Sequence, residues 1–213
     1  MVQRLLTGGA DGSRLPDEAR LARYRELSNR RHAVDMLAYL CDPDLDLGQK
    51  WRDRLCGVSY YCTGEQEIIR RMRQYPETLL KAPWSGSGKG LRWCRRGLTK
   101  STADWCRREL VNHGALILEP IYKKEGDFAM EFYSNGRGKV LFSGYSHFIT
   151  DEKGVYRGNM LVSNEEVEQW ILRYIPLEAF VCIREYLQKV IEGIYGRYYS
   201  GPMGIDMMIC PDQ

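Results

Sequence analysis

From Pro16 onward the chain sets Leu21, Tyr24 and Leu27, then Val34, Leu37 and Leu40, at helix-like intervals, which predicts two helices with a break near Ser28 and Asn29. The residues before them carry little pattern. "CDPDLDLGQKWRDRL" reads as a loop leading to a short helix. "GVSYYCTGEQEIIRRMRQYP" reads as an extended piece and then a helix, with Thr63 as N-cap, Gln66 in the capping-box position and Pro76 as terminator.

"TLLKAPW" predicts an apolar strand interrupted by Lys81. After a run of glycines, "STADWCRRELVNHG" predicts a helix capped at Ser101, with Asp104 three residues on and Gly114 just past its end. "ALILEPIY" is a strong strand. "DFAMEFYSNGRGKVLFSGYSHFITDEKGVYRGNMLV" alternates apolar runs with turn residues, as in an antiparallel meander. A helical stretch follows, capped at Ser163 with Glu166 in the box position and divided by Pro176; "GPMGIDMMI" is a last strand. The order predicts an α+β protein of two subdomains, 20–122 and 123–213, joined after "ILEPIY", with 1–19 as a remnant or linker.

At 213 residues and 44% apolar content, the chain can bury a substantial core. Its net charge of +3 is too small to imply nucleic acid or a membrane surface as partner. The seven cysteines form no C-x-x-C pair, which argues against zinc and against a disulfide framework and suits a reducing cytoplasm. No apolar run approaches about 18 residues, the minimum for a membrane helix.

Two features point to chemistry. Gly86, Gly88 and Gly90 alternate with Ser85, Ser87 and Lys89, so backbone N–H groups can converge on an anion without Cβ interference. The turn matches neither the P-loop, where Pro83 holds the first glycine position, nor the dinucleotide fingerprint. Lys81 sits in an apolar strand, where an unpaired ammonium is costly, so an anion must face it or its stem must carry it to solvent.

"LLKAPWSGSGKGL", "GALILEPIYKKEGDFAMEF" and "GPMGIDMMI", in that order and spacing, resemble the ATP-grasp superfamily, which includes D-alanine–D-alanine ligase, glutathione synthetase and biotin carboxylase. The resemblance covers roughly Leu21 to the C-terminus. It implies an ATP-grasp fold with the nucleotide site between the two subdomains. Lys81 then contacts nucleotide phosphate, and the loop Ser85, Gly86, Ser87, Gly88, Lys89, Gly90 forms a lid over the β- and γ-phosphates. Glu119, Pro120, Ile121 and Tyr122 form the hinge against the adenine, Asp127 holds the ribose hydroxyls, and Arg30, with Arg31 second, reaches the α-phosphate. Asp206 binds magnesium. Glu131 matches no motif. His147, Arg157 and Asn159 are candidate contacts for a carboxylate or amine substrate.

The family follows its magnesium aspartate with an E-x-N strand, and here none follows before Gln213. The expectation is therefore an ATP-grasp fold truncated at both ends and lacking its last metal-binding strand, with an unpaired sheet edge open to homodimerisation. By resemblance the chain uses ATP and Mg2+ and ligates a small-molecule carboxylate to an amine or thiol through an acyl phosphate. The alternative is a nucleotide-binding or interaction module without turnover, because the metal site is incomplete.

Overall fold

The computed structural model describes residues 17–42, 44, 50–51, 54–55, 57–86 and 89–210. The chain builds two antiparallel four-stranded sheets, each with helices on one face. Helices α1 (Glu18–Leu27) and α2 (Arg31–Leu40) come first, separated at Ser28 as the spacing predicts. The short helix expected near Trp51 falls mostly outside the described residues, as does all of the chain before Asp17.

Strand β1 (Tyr60–Cys62), helix α3 (Glu65–Gln74), β2 (Thr78–Lys81), β3 (Leu91–Cys94), helix α4 (Lys100–His113) and β4 (Leu116–Pro120) form the first unit, in sheet order β1-β4-β2-β3. Alternation along β2 and β4 sends Leu80, Leu116 and Leu118 into a core with Ile68, Met72, Cys62 and Cys106. Lys81 and Glu119 fall on the opposite face.

Two predicted caps are corrected. Helix α3 starts after Gly64, which has no side chain to cap with, and Thr63 lies one residue too early for the role. Helix α4 is capped by Thr99, whose hydroxyl accepts from Thr102 N–H; Ser101 lies inside the first turn and accepts from Arg92 instead. Gly114 ends α4 in the left-handed conformation, as expected. Strand β3 was not anticipated: β2 and β3 are the two arms of a hairpin whose connection is the glycine turn.

The second unit holds β5 (Gly126–Asn135), β6 (Val140–Thr150), β7 (Tyr156–Asn159), α5 (Asn164–Ile171), α6 (Leu177–Tyr195) and β8 (Ser200–Ile209), in sheet order β7-β6-β5-β8. The meander is as predicted, and α5 carries the full Ser163–Glu166 capping box. Phe128, Met130 and Phe132 on β5 pack beneath α5 and α6 with Val167, Phe180 and Leu187. Met36 and Leu40 of α2 pack into this same core, and Tyr39 stacks on Tyr186 of α6 at 4.9 Å. Helix α2 thus spans both units. Among the described residues no helix is long and apolar enough to cross a membrane.

Candidate functional site

The charges of Lys81 and Arg30 act on Asp206, so the two sheets meet in a cleft, and strand alternation decides which side chains line it. On the first sheet these are Lys81 and Glu119; on the second, Asp127, Glu131 and Asp206. Asp206 pairs directly with Ala129, and Asp127 and Glu131 flank Ala129 at two residues on either side, so the three carboxylates share a face. The alternate residues Ile205 and Met207 point to the core. The strand carboxylate that looked costly in "GIDMMI" is therefore on the cleft side and not in the core.

Lys81 has its counter-charge within the protein. Its ammonium lies 2.5 Å from Glu119 Oε2, both side chains about one-fifth exposed, and Ser59 donates to the other Glu119 oxygen at 3.0 Å. Arg30 stands at the N-cap of α2 and reaches across to the glycine hairpin. Its guanidinium donates to Ala82 O at 2.6 Å and to Ser85 Oγ at 2.5 Å, while its own N–H donates to Pro83 O. Burial lowers the Arg30 pKa, opposed by the charges of Glu119 and Asp206. Arg31 points outward, 3.6 Å from Asp35.

The glycine hairpin is closed at its base by Ala82 N–H donating to Gly90 O and by Lys89 N–H donating to Gly86 O. Gly90 has φ +66°, and a Cβ there would come within 2.6 Å of Ser85 Oγ, so both geometry and space demand glycine. Gly86 and Lys89 are exposed; Ser87 and Gly88 lie outside the described residues.

Asp206 holds its proton more tightly than an ordinary carboxylate. The cleft walls remove part of its hydration, Asp127 adds like-charge repulsion, and Lys81 and Arg30 oppose both. Glu131 is raised for the same reasons, burial first and Asp206 second. A Cβ at Gly204 would meet the Glu131 carboxylate at 2.8 Å, so this glycine gives Glu131 its room beside β8. Asp127 is buried and held by two donors: Thr150 Oγ1 at 2.8 Å and the Lys124 ammonium.

Of the expected residues, Arg30, Lys81, Glu119, Asp127 and Asp206 are linked here by ion pair or mutual charge. In the hinge segment, Ile121 N–H is bonded to Glu77 O, and Tyr122 Oη accepts from Val58 N–H at 2.7 Å. His147 and Asn159 join Glu131 and Ser146 in lining an adjoining cavity of about 610 Å³, with His147 stacked on Trp170 at 4.5 Å. Arg157 is instead paired with Asp151 at 2.7 Å. Sequence reasoning missed Ser59, Lys124 and Thr150. Lys124 precedes Asp127 by one helical-turn spacing and was visible in principle; Thr150 reaches Asp127 only through strand pairing.

Among the described residues no group of three or more His, Cys, Asp or Glu side chains is arranged to hold a metal ion. Asp206 offers a single carboxylate. That suits a magnesium ion completed by phosphate oxygens and water better than an all-protein cage.

No family model matches the sequence, and no curated protein matches it. Solved structures do share its fold. N5-carboxyaminoimidazole synthetase from Staphylococcus aureus, complexed with ADP, superposes with a TM-score of 0.54 at 10% identity, over 86% of this chain and 41% of that one. Biotin carboxylase from Campylobacter jejuni, in an ATP complex, gives 0.57 at 14% identity over 86% and 37%. Pyruvate carboxylase from Rhizobium etli gives 0.58 at 14% identity over 88% and 15%. At such identities the likeness is one of fold, and the chain spans well under half the length of each of these proteins. The α+β architecture is the ATP-grasp fold that the three sequence motifs imply.

Proposed function

We propose that this chain is an ATP-binding domain of the carboxylate–amine or carboxylate–thiol ligase type, with the nucleotide in the cleft between the two sheets. The observation that carries this reading is the convergence of Lys81, Arg30 and the glycine hairpin on one wall, opposite Asp127 and Asp206 on the other. Lys81 exchanges Glu119 for phosphate oxygens. Arg30 fixes the base of the hairpin, whose backbone N–H groups and Lys89 neutralise charge on the transferring phosphoryl group. The hinge Glu119–Tyr122 and Asp127 place the nucleoside. Magnesium, when bound at Asp206, shares the charge of the phosphate oxygens.

In the reaction we assign, a carboxylate oxygen attacks the γ-phosphorus and the bond to the β-phosphate oxygen breaks, giving acyl phosphate and ADP. An amine or thiol then attacks the acyl carbon, the acyl C–O bond to phosphate breaks, inorganic phosphate leaves and the nucleophile's proton passes to solvent. We place the second substrate in the cavity lined by Glu131, His147 and Asn159, where Glu131 suits an amine.

Calorimetric titration with ATP and ADP tests the reading. Saturable binding that weakens about tenfold or more in Lys81→Met supports it, the size expected for losing a charge-assisted phosphate contact. No binding at millimolar nucleotide overturns it.

A second reading is favoured by the short donor set at Asp206: a nucleotide-binding module without turnover. It expects thermal stabilisation by ATP that hardly changes with magnesium, and magnesium-dependent ADP release would exclude it.

A further inference from the structure

A second cavity, of about 370 Å³, lies where α1 meets the β5–β6 turn and the start of β8. Ser200 opens β8, and Asp206 follows roughly 20 Å further along at the usual strand rise, so this cavity is separate from the cleft. Three arginines line it: Arg20 and Arg23 from α1, and Arg197 from the segment before β8. No carboxylate is among its lining residues.

Helix α1 has one buried residue, Leu27, so its packing does not explain the positions of its arginines. They are nevertheless fixed. Arg20 Nε donates to Tyr24 Oη at 2.8 Å. The Arg23 guanidinium lies over the Tyr198 ring at 4.1 Å and meets Glu26 through one terminal nitrogen at 2.5 Å. Arg23 Nε is shielded from solvent and has no hydrogen-bond partner among the described residues. The Arg197 stem lies against Gly138. Asp17 lies on the same helix but spends a carboxylate oxygen on Arg20 N–H as the α1 cap. Among the described residues, Glu26 is the one carboxylate ion-paired to these three guanidinium groups, and Arg23 keeps a desolvated Nε without a partner. Like charges held together this way are stabilised by an anion.

We propose that this cavity is a binding site for a small phosphate monoester carried on a planar ring. Arginine forks match phosphate oxygens in bidentate geometry. Tyr24 and Tyr198 line the cavity with arginines over their rings, and Tyr198 remains half exposed, which leaves aromatic surface for the organic part; the volume is within the range of small-ligand sites. The site does not depend on the ATP reading of the cleft.

The test is titration of the full chain with phenyl phosphate in the presence of saturating ADP, followed by NMR at the Gly136 and Tyr198 resonances. Both resonances shift saturably, and the double variant Arg20→Gln/Arg197→Gln weakens binding at least about tenfold, the loss expected for charge-assisted phosphate contacts. Both arginines are exposed, so the variant stays folded, with an unfolding midpoint no lower than the native one and the native response to ADP; Arg20→Lys, which keeps charge but loses the fork, binds with intermediate affinity. Absence of saturable shifts up to about 10 mM overturns the site. So does binding that the double variant leaves unchanged. Equal affinity for inorganic phosphate overturns the assignment of a ring-bearing ligand, leaving an adventitious ion only.

Discussion

The ammonium of Lys81 lies 2.5 Å from Glu119 Oε2, so the residue expected to hold a phosphate is already holding a carboxylate of its own sheet. A phosphate must displace Glu119 to reach it. Glu119→Gln keeps an acceptor for Ser59 but removes the competing charge, and should tighten ADP binding about three- to tenfold by calorimetry. Weaker binding in this variant would show that Glu119 serves the nucleotide directly.

Arg30 ties α2 to the base of the glycine hairpin through Ala82 O and Ser85 Oγ. Arg30→Met leaves both acceptors without this donor and should cost about 1–3 kcal/mol in urea unfolding. Hydrogen exchange at Ala82 N–H, which closes the hairpin onto Gly90 O, should quicken by the same substitution. Arg30→Lys should recover part of each effect, since a single nitrogen, Nη1, makes both bonds and the ammonium of a shorter side chain can offer the same two donors, though from less far along the hairpin.

The raised pKa of Asp206 sets a sign for pH dependence. A carboxyl that is harder to ionise in the folded state than at its usual 3.8 contributes stability that is fully present below 3.8 and is lost as pH rises through the folded value. Asp206→Asn removes that loss. The variant should therefore be more stable than the parent at neutral pH, with the advantage vanishing in the most acid part of a urea-unfolding series. An advantage that is constant with pH would contradict the partial burial of Asp206 beside Asp127.

Burial pushes the thiols of Cys62 and Cys106 up to about 12 and raises that of Cys94. Because the thiolate is the reactive form, all three should resist a disulfide reagent at pH 8 in the native protein and react once it is unfolded. Mass spectrometry of the labelled peptides distinguishes them from the other cysteines.

Where local pattern carried the signal, the sequence was readable. The Ser163–Glu166 box, the left-handed Gly114, the break at Pro176 and the alternation in "DFAMEFY" are each decided by residues close in sequence, and each appears as expected. Lys81, Glu119, Asp127 and Asp206, which the three motifs single out, are linked by an ion pair between the first two and by the charges of Asp127 and Lys81 acting on Asp206. What was not legible depended on pairing. Strand β3 was hidden because Arg92 interrupts its apolar residues and its existence follows from β2 lying alongside. Thr150 reaches Asp127 across 23 positions of chain. The partner of Lys81 is Glu119, two residues from its register partner Ile117 and on the same face, a neighbour that only strand pairing supplies. The N-caps at Thr99 and Gly64 differ from the expected ones by one or two residues, the scale on which several hydroxyls compete for the same first turn.

Helix α2 inserts Met36 and Leu40 beneath the second sheet while its first residues grip the glycine hairpin of the first. The chain therefore cannot be cut into its two sheets at the hinge after Pro120 without loss. A piece carrying only β5 to β8 would lack Met36 and Leu40 from its core and Trp51 and Leu55 from its margin, and a piece ending at the hinge would present them to water. Co-expressed halves would find each other through that helix, so the natural unit for dissection, swapping or permutation of this protein is the second sheet together with α2.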